Sequence, residues 1–583
     1  MKPLTILLGA AGLALAAPAP AAAPDLSEAQ ARAILDGTQT IRLAPDLSHL
    51  TAGERIAVDR LLEVGAIFQD LYEHQTHHQA REARAKLRPG SDDATLYRLF
   101  KGPVATTLGN ERAPFLGVAE PPPGRNVYPL DLTRAEYEAY LAAHPQQARE
   151  LAHVRSMVRR ADAASLAADL ATLRRFPVID ALHPGLGTRL EALAASPDRA
   201  RLYALPYSVA YAAETTRAFA LLNEAADAVE PDDEQFARYL RNRARDLLTD
   251  DYESGDAAWL KGRFENLNAQ IGAYETYDDE LAATRAFYSL SLLATRREES
   301  AALREAMSGI QALEDSLPYD NRRKVAEDIP VGVYDIVADF AQSRGGNTAT
   351  NLPNEAYLTE RYGSIILLRA NIMRNPDLFE GSGDIYGAAV VPEQAGDLKQ
   401  DGNFYRTLWH EVGHYLGPDY TADGRTFDAI GADGGLLEEL KADLVSLYVA
   451  PELHRRGYYD DEGLRSVYAS GILRVLQNNR PRREQPYNMM QLMQWNWFLG
   501  RGVLAFDPAT AKLTVDYARY HDAVAGLLRE VIALQEAGDP ARAAAFIEQW
   551  GTWDEALHGR IAANIRDRQT WRYRLFTYGA LGE

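Results

Sequence analysis

One short stretch constrains this chain more than any other: Thr407-Leu408-Trp409-His410-Glu411-Val412-Gly413-His414-Tyr415-Leu416-Gly417-Pro418. On a helix, residues four apart stand about 40° apart around the axis and one turn along it, so His410 and His414 aim two imidazoles at one point. Glu411 lies beside them, suited to take a proton from a water held there. Gly417-Pro418 is a helix stop, which puts both histidines in the final turns. A catalytic zinc site takes three protein ligands and keeps a position for water. Downstream, Leu436-Leu437-Glu438-Glu439-Leu440-Lys441-Ala442-Asp443 supplies the third, Glu439, on a second amphipathic helix ending near Pro451. Asp443 lies one turn beyond Glu439 on the same face. Asp443 and Glu438 are the carboxylates suited to hold the second nitrogen of each imidazole. The fold is therefore expected to bring these two helices together around one Zn2+ per chain.

Composition narrows the class. The 583 residues are 46% hydrophobic and 25% charged, ordinary for a globular protein, and long enough for two or three compact lobes or one large two-lobed body. A formal net charge of −20 argues against broad binding to nucleic acid or anionic lipid. With no cysteine, disulfides, thiol nucleophiles, a lipid-modified cysteine anchor and cysteine-ligated zinc are all excluded. Lys2, the apolar residues 4–17 and the small residues 17–23 read as a signal peptide, residues 1–23. No later apolar run is long enough for a bilayer, so the expectation is a periplasmic protein free of membrane, with a monomer favoured.

Helical periodicity dominates. Thr133 with Glu136 forms a capping-box pattern, and residues 146–175 and 281–317 read as amphipathic helix, the latter closed by Pro318. Residues 331–337, 364–368 and 385–391 are short, β-branched and bounded by Gly, Pro or Asn, as strands are. The expected fold is mainly α with a small β core (α+β), in two lobes separated by a wide cleft. Residues 24–285 begin a mixed lobe, 286–328 begin a helical lobe, and 329–382 carry the β segment. Residues 383–560 form the helical zinc-binding lobe, and 561–583 return to the mixed lobe. His74, His77 and His78 read as a solvated face rather than a second metal site.

These motifs resemble the dipeptidyl-peptidase III family of zinc metallopeptidases. That family carries His-Glu-x-x-Gly-His followed by Glu-Glu-x-Arg/Lys-Ala-Glu/Asp, and 438–443 matches the second pattern at every specified position. Asn351-Leu352-Pro353-Asn354 is similar to the family's Asn-x-Pro-Asn, which implies that Asn351 and Asn354 hold the substrate backbone. Ile271-Gly272 and Glu275-Thr276-Tyr277 look like the strand flanking the family's cleft. Three departures stand out: His410–His414 is one residue shorter than the usual motif; Asn268 and Gln270 occupy positions of a family Glu and Tyr; Leu492 occupies that of a family His. The resemblance makes Asn268 and Gln270 expected substrate-binding positions, an amide being able to accept from a peptide's ammonium.

The function expected from these residues is zinc-dependent hydrolysis of short peptides, releasing N-terminal dipeptides, with Glu411 moving the proton. Two alternatives stay open. Thermolysin-like gluzincins share the ligand pattern, so oligopeptide endopeptidase action fits the same residues. Without the family's Tyr and His, a periplasmic peptide-binding protein with little turnover fits as well.

Overall fold

Strands buried on both faces form the centre of the protein. In the computed structural model, which describes residues 25–320, 323–325, 330–342 and 347–583, five of them make one mixed sheet. They are Leu267–Glu275 (β1), Phe287–Thr295 (β2), Val331–Phe340 (β3), Ala349–Leu352 (β4) and Ile365–Arg369 (β5), in the spatial order β1-β2-β3-β5-β4. The β3–β5 pair is parallel and the other neighbours are antiparallel. The sheet curls: Gln270 on β1 accepts hydrogen bonds from Arg369 Nη2 on β5 (3.0 Å) and Thr350 Oγ1 on β4 (3.4 Å), although both belong to the far side of the strand order. Helix Ala52–Thr76 packs on β2 and on helix Ala212–Val229.

The expected strands 331–337 and 364–368 are β3 and β5. Residues 385–391 are not a strand. Helix Pro376–Ala389 runs through them, started by Asn375, whose side chain accepts from the backbone N–H of Asp377 and Leu378, with proline in the first turn. The two long helices also break. Strand Ser156–Ala161 interrupts residues 146–175, and β2 occupies the first half of 281–317, inside the segment expected to be helical. Both strands are covered on both faces, so neither shows the alternation that marks a half-exposed strand. Thr133 does cap helix Arg134–Ala143, accepting from Glu136 N (3.2 Å), but the Glu136 carboxylate turns to Arg160 instead of closing a capping box.

Facing the sheet is a group of helices: Gln400–Tyr415 (α1), Gly434–Tyr448 (α2), Asp461–Val475 (α3), Pro486–Gly500 (α4) and Tyr520–Ala537 (α5). One continuous apolar core runs from helix Ala52–Thr76 through the sheet into these helices. Strand Tyr573–Tyr578 pairs in parallel with Thr38–Leu43, tying the C-terminal segment to the beginning of the described chain. The fold is mainly helical α+β. Among the described residues no helix is long and apolar enough to cross a membrane, and residues 1–23, the expected signal segment, lie outside them.

Candidate metal centre

α1 and α2 approach closely because Gly413 has no side chain: a Cβ there would stand 2.6 Å from Ala442 O and 2.9 Å from Ala442 Cα. α1 ends at Tyr415, as Gly417-Pro418 predicts, and Gly417 takes a φ of 91° that suits glycine. The carbonyls left open at this helix end are claimed by α2: Lys441 Nζ donates to Gly413 O (2.9 Å) and Leu416 O (2.7 Å). The Lys in the second motif thus pins the first motif's helix, a role its sequence did not reveal.

This packing brings His410, His414 and Glu439 together, one ligand atom from each lying within 4.8 Å of the others. Glu439 Oε2 is 3.3 Å from His410 Nε2 and 3.7 Å from His414 Nε2. Ligands about 2.0–2.1 Å from a tetrahedral ion sit about 3.3 Å apart, so these edges suit zinc. Glu439 Oε2 is buried and makes no hydrogen bond, an arrangement that is costly without a cation. The donor set, two imidazoles and a carboxylate, matches open catalytic zinc sites.

Each imidazole is oriented through its other nitrogen. His410 Nδ1 lies 2.7 Å from Asp443 Oδ1 and His414 Nδ1 lies 3.1 Å from Glu438 Oε1. Asp443 is held in turn by Arg406 (3.0 Å, α1), Arg474 (3.4 Å, α3) and Gln494 (3.4 Å, α4). Glu438 is held by Lys441 (2.8 Å) and by Gln535 on α5 (2.8 Å). Burial alone would lower the His410 pKa, but the Asp443 charge and hydrogen bond outweigh it and raise it to about 9. Burial likewise opposes ionisation of Glu439 and Glu438. The histidines beside Glu439, and Lys441 with His414 beside Glu438, overcome it and lower each carboxyl to about 2.

The cluster opens on a cavity of about 1030 Å³. Glu411 lies on its wall, 7% exposed, with no hydrogen bond to a described residue. Asn351 and Asn354 line the opposite side: Asn351 on β4 has a buried Oδ1 without a partner, and Asn354 Nδ2 reaches Glu275 at 3.5 Å. Asn268 and Gln270 are placed elsewhere. Both are buried inside the curled sheet, Asn268 bonded to Trp259 (2.8 Å) and Tyr334 (2.9 Å), Gln270 to Arg369, and neither lines the cavity. Leu492 is buried on α4 and also off the wall. Near it in sequence, Tyr487 at the start of α4 donates to Glu439 Oε1 (2.6 Å), as does Tyr277 (3.1 Å). Burial and the Glu439 charge hold both phenols well above their ordinary pKa, so they stay protonated donors. Tyr277 belongs to a recognised motif, whereas no local pattern announces Tyr487. His77, in the run expected to be solvated, is buried and stacks on His78.

Together these features define an α+β protein with a three-residue cluster suited to a metal ion, facing a curled sheet across a cavity. No family model matches the chain. Its fold is that of dipeptidyl-peptidase III. The structure of DPP III from Caldithrix abyssi superposes with a TM-score of 0.76 at 24% identity, covering 94% of this chain and 99% of that one. Dipeptidyl-peptidase III from Corallococcus sp. strain EGB gives 0.80 at 23% identity, covering 95% and 97%. A curated relative, Nudix hydrolase 3 of Arabidopsis thaliana, is 24% identical over 497 residues, 83% of this chain, and the chain spans about 60% of that relative's length.

Proposed function

We propose that this chain is a zinc-dependent peptidase that takes short peptides and releases dipeptides from their N-terminus. One observation carries the reading: His410 and His414 converge on a buried Glu439 oxygen that has no hydrogen bond, beside a cavity that also holds Glu411. Two solved structures sharing the fold are named as dipeptidyl-peptidases, which supports the substrate class.

His410, His414 and Glu439 would hold the ion, which when bound supplies a Lewis acid that polarises a peptide carbonyl and makes water more acidic. Asp443 and Glu438 accept the imidazole Nδ1–H and so turn each Nε2 lone pair inward. Glu411 takes the proton from the attacking water and gives it to the leaving amine. Tyr277 and Tyr487 donate to Glu439 Oε1, which leaves Oε2 for the ion, and a hydroxyl that turned from Glu439 to the reacting carbonyl would stand in for the absent family Tyr and His. Asn351 and Asn354 hold the peptide backbone against the sheet side of the cavity.

Product masses from a defined peptide mixture test the proposal. Stepwise dipeptide release by zinc-loaded protein, abolished in Glu411→Gln, is the expected result. Internal cuts would replace it with the endopeptidase reading, which the burial of Asn268 and Gln270 favours, since neither reaches the cavity to meet a peptide's ammonium. Peptide bound but uncut by zinc-loaded wild type would make this a capture protein. Export is part of the proposal: residues 1–23 act as a signal peptide, and an intact N-terminus on protein from the expression host's periplasm would contradict it.

A further inference from the structure

A second cavity, of about 570 Å³, lies beside the first, and Thr348 lines both. Its wall is basic, in a chain whose net charge is −20. Two of its cations are ion-paired: Arg125 with Glu280, and Arg112 with Glu280 and Glu120. Three are not. Lys101, Arg572 and Arg574 form no ion pair with any described residue, and Asp278 is the single carboxylate on the wall. Lys101 makes no hydrogen bond through its ammonium to a described residue. Arg572 Nε is buried and unpartnered, its Nη2 reaching only Leu108 O (3.3 Å), while Arg574 Nη1 reaches only the carbonyls of Trp571 and Tyr573.

These positions follow from backbone geometry. Arg574 and Phe576 alternate along strand Tyr573–Tyr578, Arg572 immediately precedes it, and all three line the cavity with Tyr573. Lys101 ends helix Asp92–Phe100 with a φ of 53°, a left-handed conformation uncommon for lysine. Burial pushes the pKa of all three cations down, and at Lys101 it outweighs the opposing pull of Asp278 and Asp339. Guanidinium groups recognise carboxylate and phosphate oxygens in pairs, and Phe100 and Phe576 give the cavity an apolar side.

We propose that this second cavity binds an organic oxyanion, a carboxylate or a phosphate, through Lys101, Arg572 and Arg574. Two sources present that chemistry: a free small anion, or the C-terminal carboxylate of a peptide passing Thr348 from the first cavity.

Calorimetric titration of the full chain with succinate and with inorganic phosphate, at ionic strength fixed with sodium chloride, tests it. The expected result is saturable binding of at least one probe, retained in Glu411→Gln. Binding should weaken at least about tenfold in Lys101→Asn, where asparagine tolerates the left-handed backbone, and in the double variant Arg572→Gln/Arg574→Gln. The fate of the peptidase reading is separate, because no step of this titration needs metal or turnover. KM for a peptide with a free C-terminus, lower than for its amide in wild type and equal to it in the double variant, assigns the oxyanion to substrate. Equal KM values with succinate or phosphate bound assign it to a free anion. No binding above chloride by either probe, together with equal KM values for acid and amide, overturns the proposal. So does binding of unchanged strength in both variants.

Discussion

Asp443 and Glu438 do the same job for different histidines, yet replacing them should not cost the same. Glu438→Gln keeps an acceptor near His414 and Lys441, and zinc affinity should fall about 10–100-fold with little loss of stability. Asp443→Asn should lower affinity by a similar factor, and it also leaves the buried Arg406 and the partly exposed Arg474 without their charge partner. Breaking such a pair costs about 3–5 kcal/mol, so this variant should also unfold at lower denaturant. Chelator competition and urea denaturation on both proteins check the contrast; equal stability of the two would contradict it. Away from the metal, Asp250 caps helix Glu234–Thr249 and accepts from Ser208 N (2.8 Å) and Oγ (2.7 Å), and burial raises it to about 7. Between its unfolded value of about 3.9 and about 7 the folded state holds a proton the unfolded chain has released, so its contribution to stability declines as pH rises across that window. Asp250→Asn should therefore gain stability over wild type at pH 8 and little at pH 4, as denaturation at both pH values would show. At this scale the cluster of His410, His414 and Glu439 was legible because its spacing is local: His410 and His414 share one helix, and Glu438, Glu439 and Asp443 share another. Tyr487 was not, since its place at Glu439 depends on how α4 packs. Asn268 and Gln270 were legible as a strand position but not as an inward-facing one, because the curl of the sheet decides what they meet.

The two motifs approach this closely because position 413 of α1 is glycine. A methyl at Gly413 would press into the Ala442 backbone, which has no flexible end to yield. Gly413→Ala should cost about 1–3 kcal/mol as an overpacked contact and, by separating α1 from α2, should weaken zinc binding more than either carboxylate variant. Thermal denaturation and zinc titration on one sample test both; unchanged zinc affinity would show that the interhelix distance does not set the site. Elements with strong local signals were readable: α1 with its Gly-Pro stop, α2, β3 and β5. Those that misread share a physical cause. β2, Phe-Tyr-Ser-Leu-Ser-Leu-Leu-Ala-Thr, is covered on both faces, and strand Ser156–Ala161 lies between two helices and is paired only by the distant strand Asp198–Pro206, so neither shows a period of its own. Residues 385–389 look strand-like by composition, but the helix begun at Asn375-Pro376 carries through them.

At the scale of the molecule, the cavity is walled by the helices that carry His410, His414 and Glu439 and by the sheet that carries Asn351, so metal binding should stabilise helices drawn from much of the chain. Ligand that binds the folded state alone adds about 2.7 kcal/mol at a hundredfold excess over its Kd. Zinc should thus raise the Tm of wild type and chelation should lower it, with neither effect in Glu439→Ala. Topology at this scale was the least legible: the parallel pairing of Thr38–Leu43 with Tyr573–Tyr578 joins segments at opposite ends of the described chain, and nothing in either strand names its partner. Three side chains from α1 and α2 are proposed to hold one zinc ion, and anomalous scattering from zinc-soaked crystals above and below the zinc edge would reveal that ion. One strong anomalous peak bounded by His410 Nε2, His414 Nε2 and Glu439 Oε2 is expected, lost in Glu439→Ala. No peak there, or a peak at other residues with this trio vacant, would contradict it.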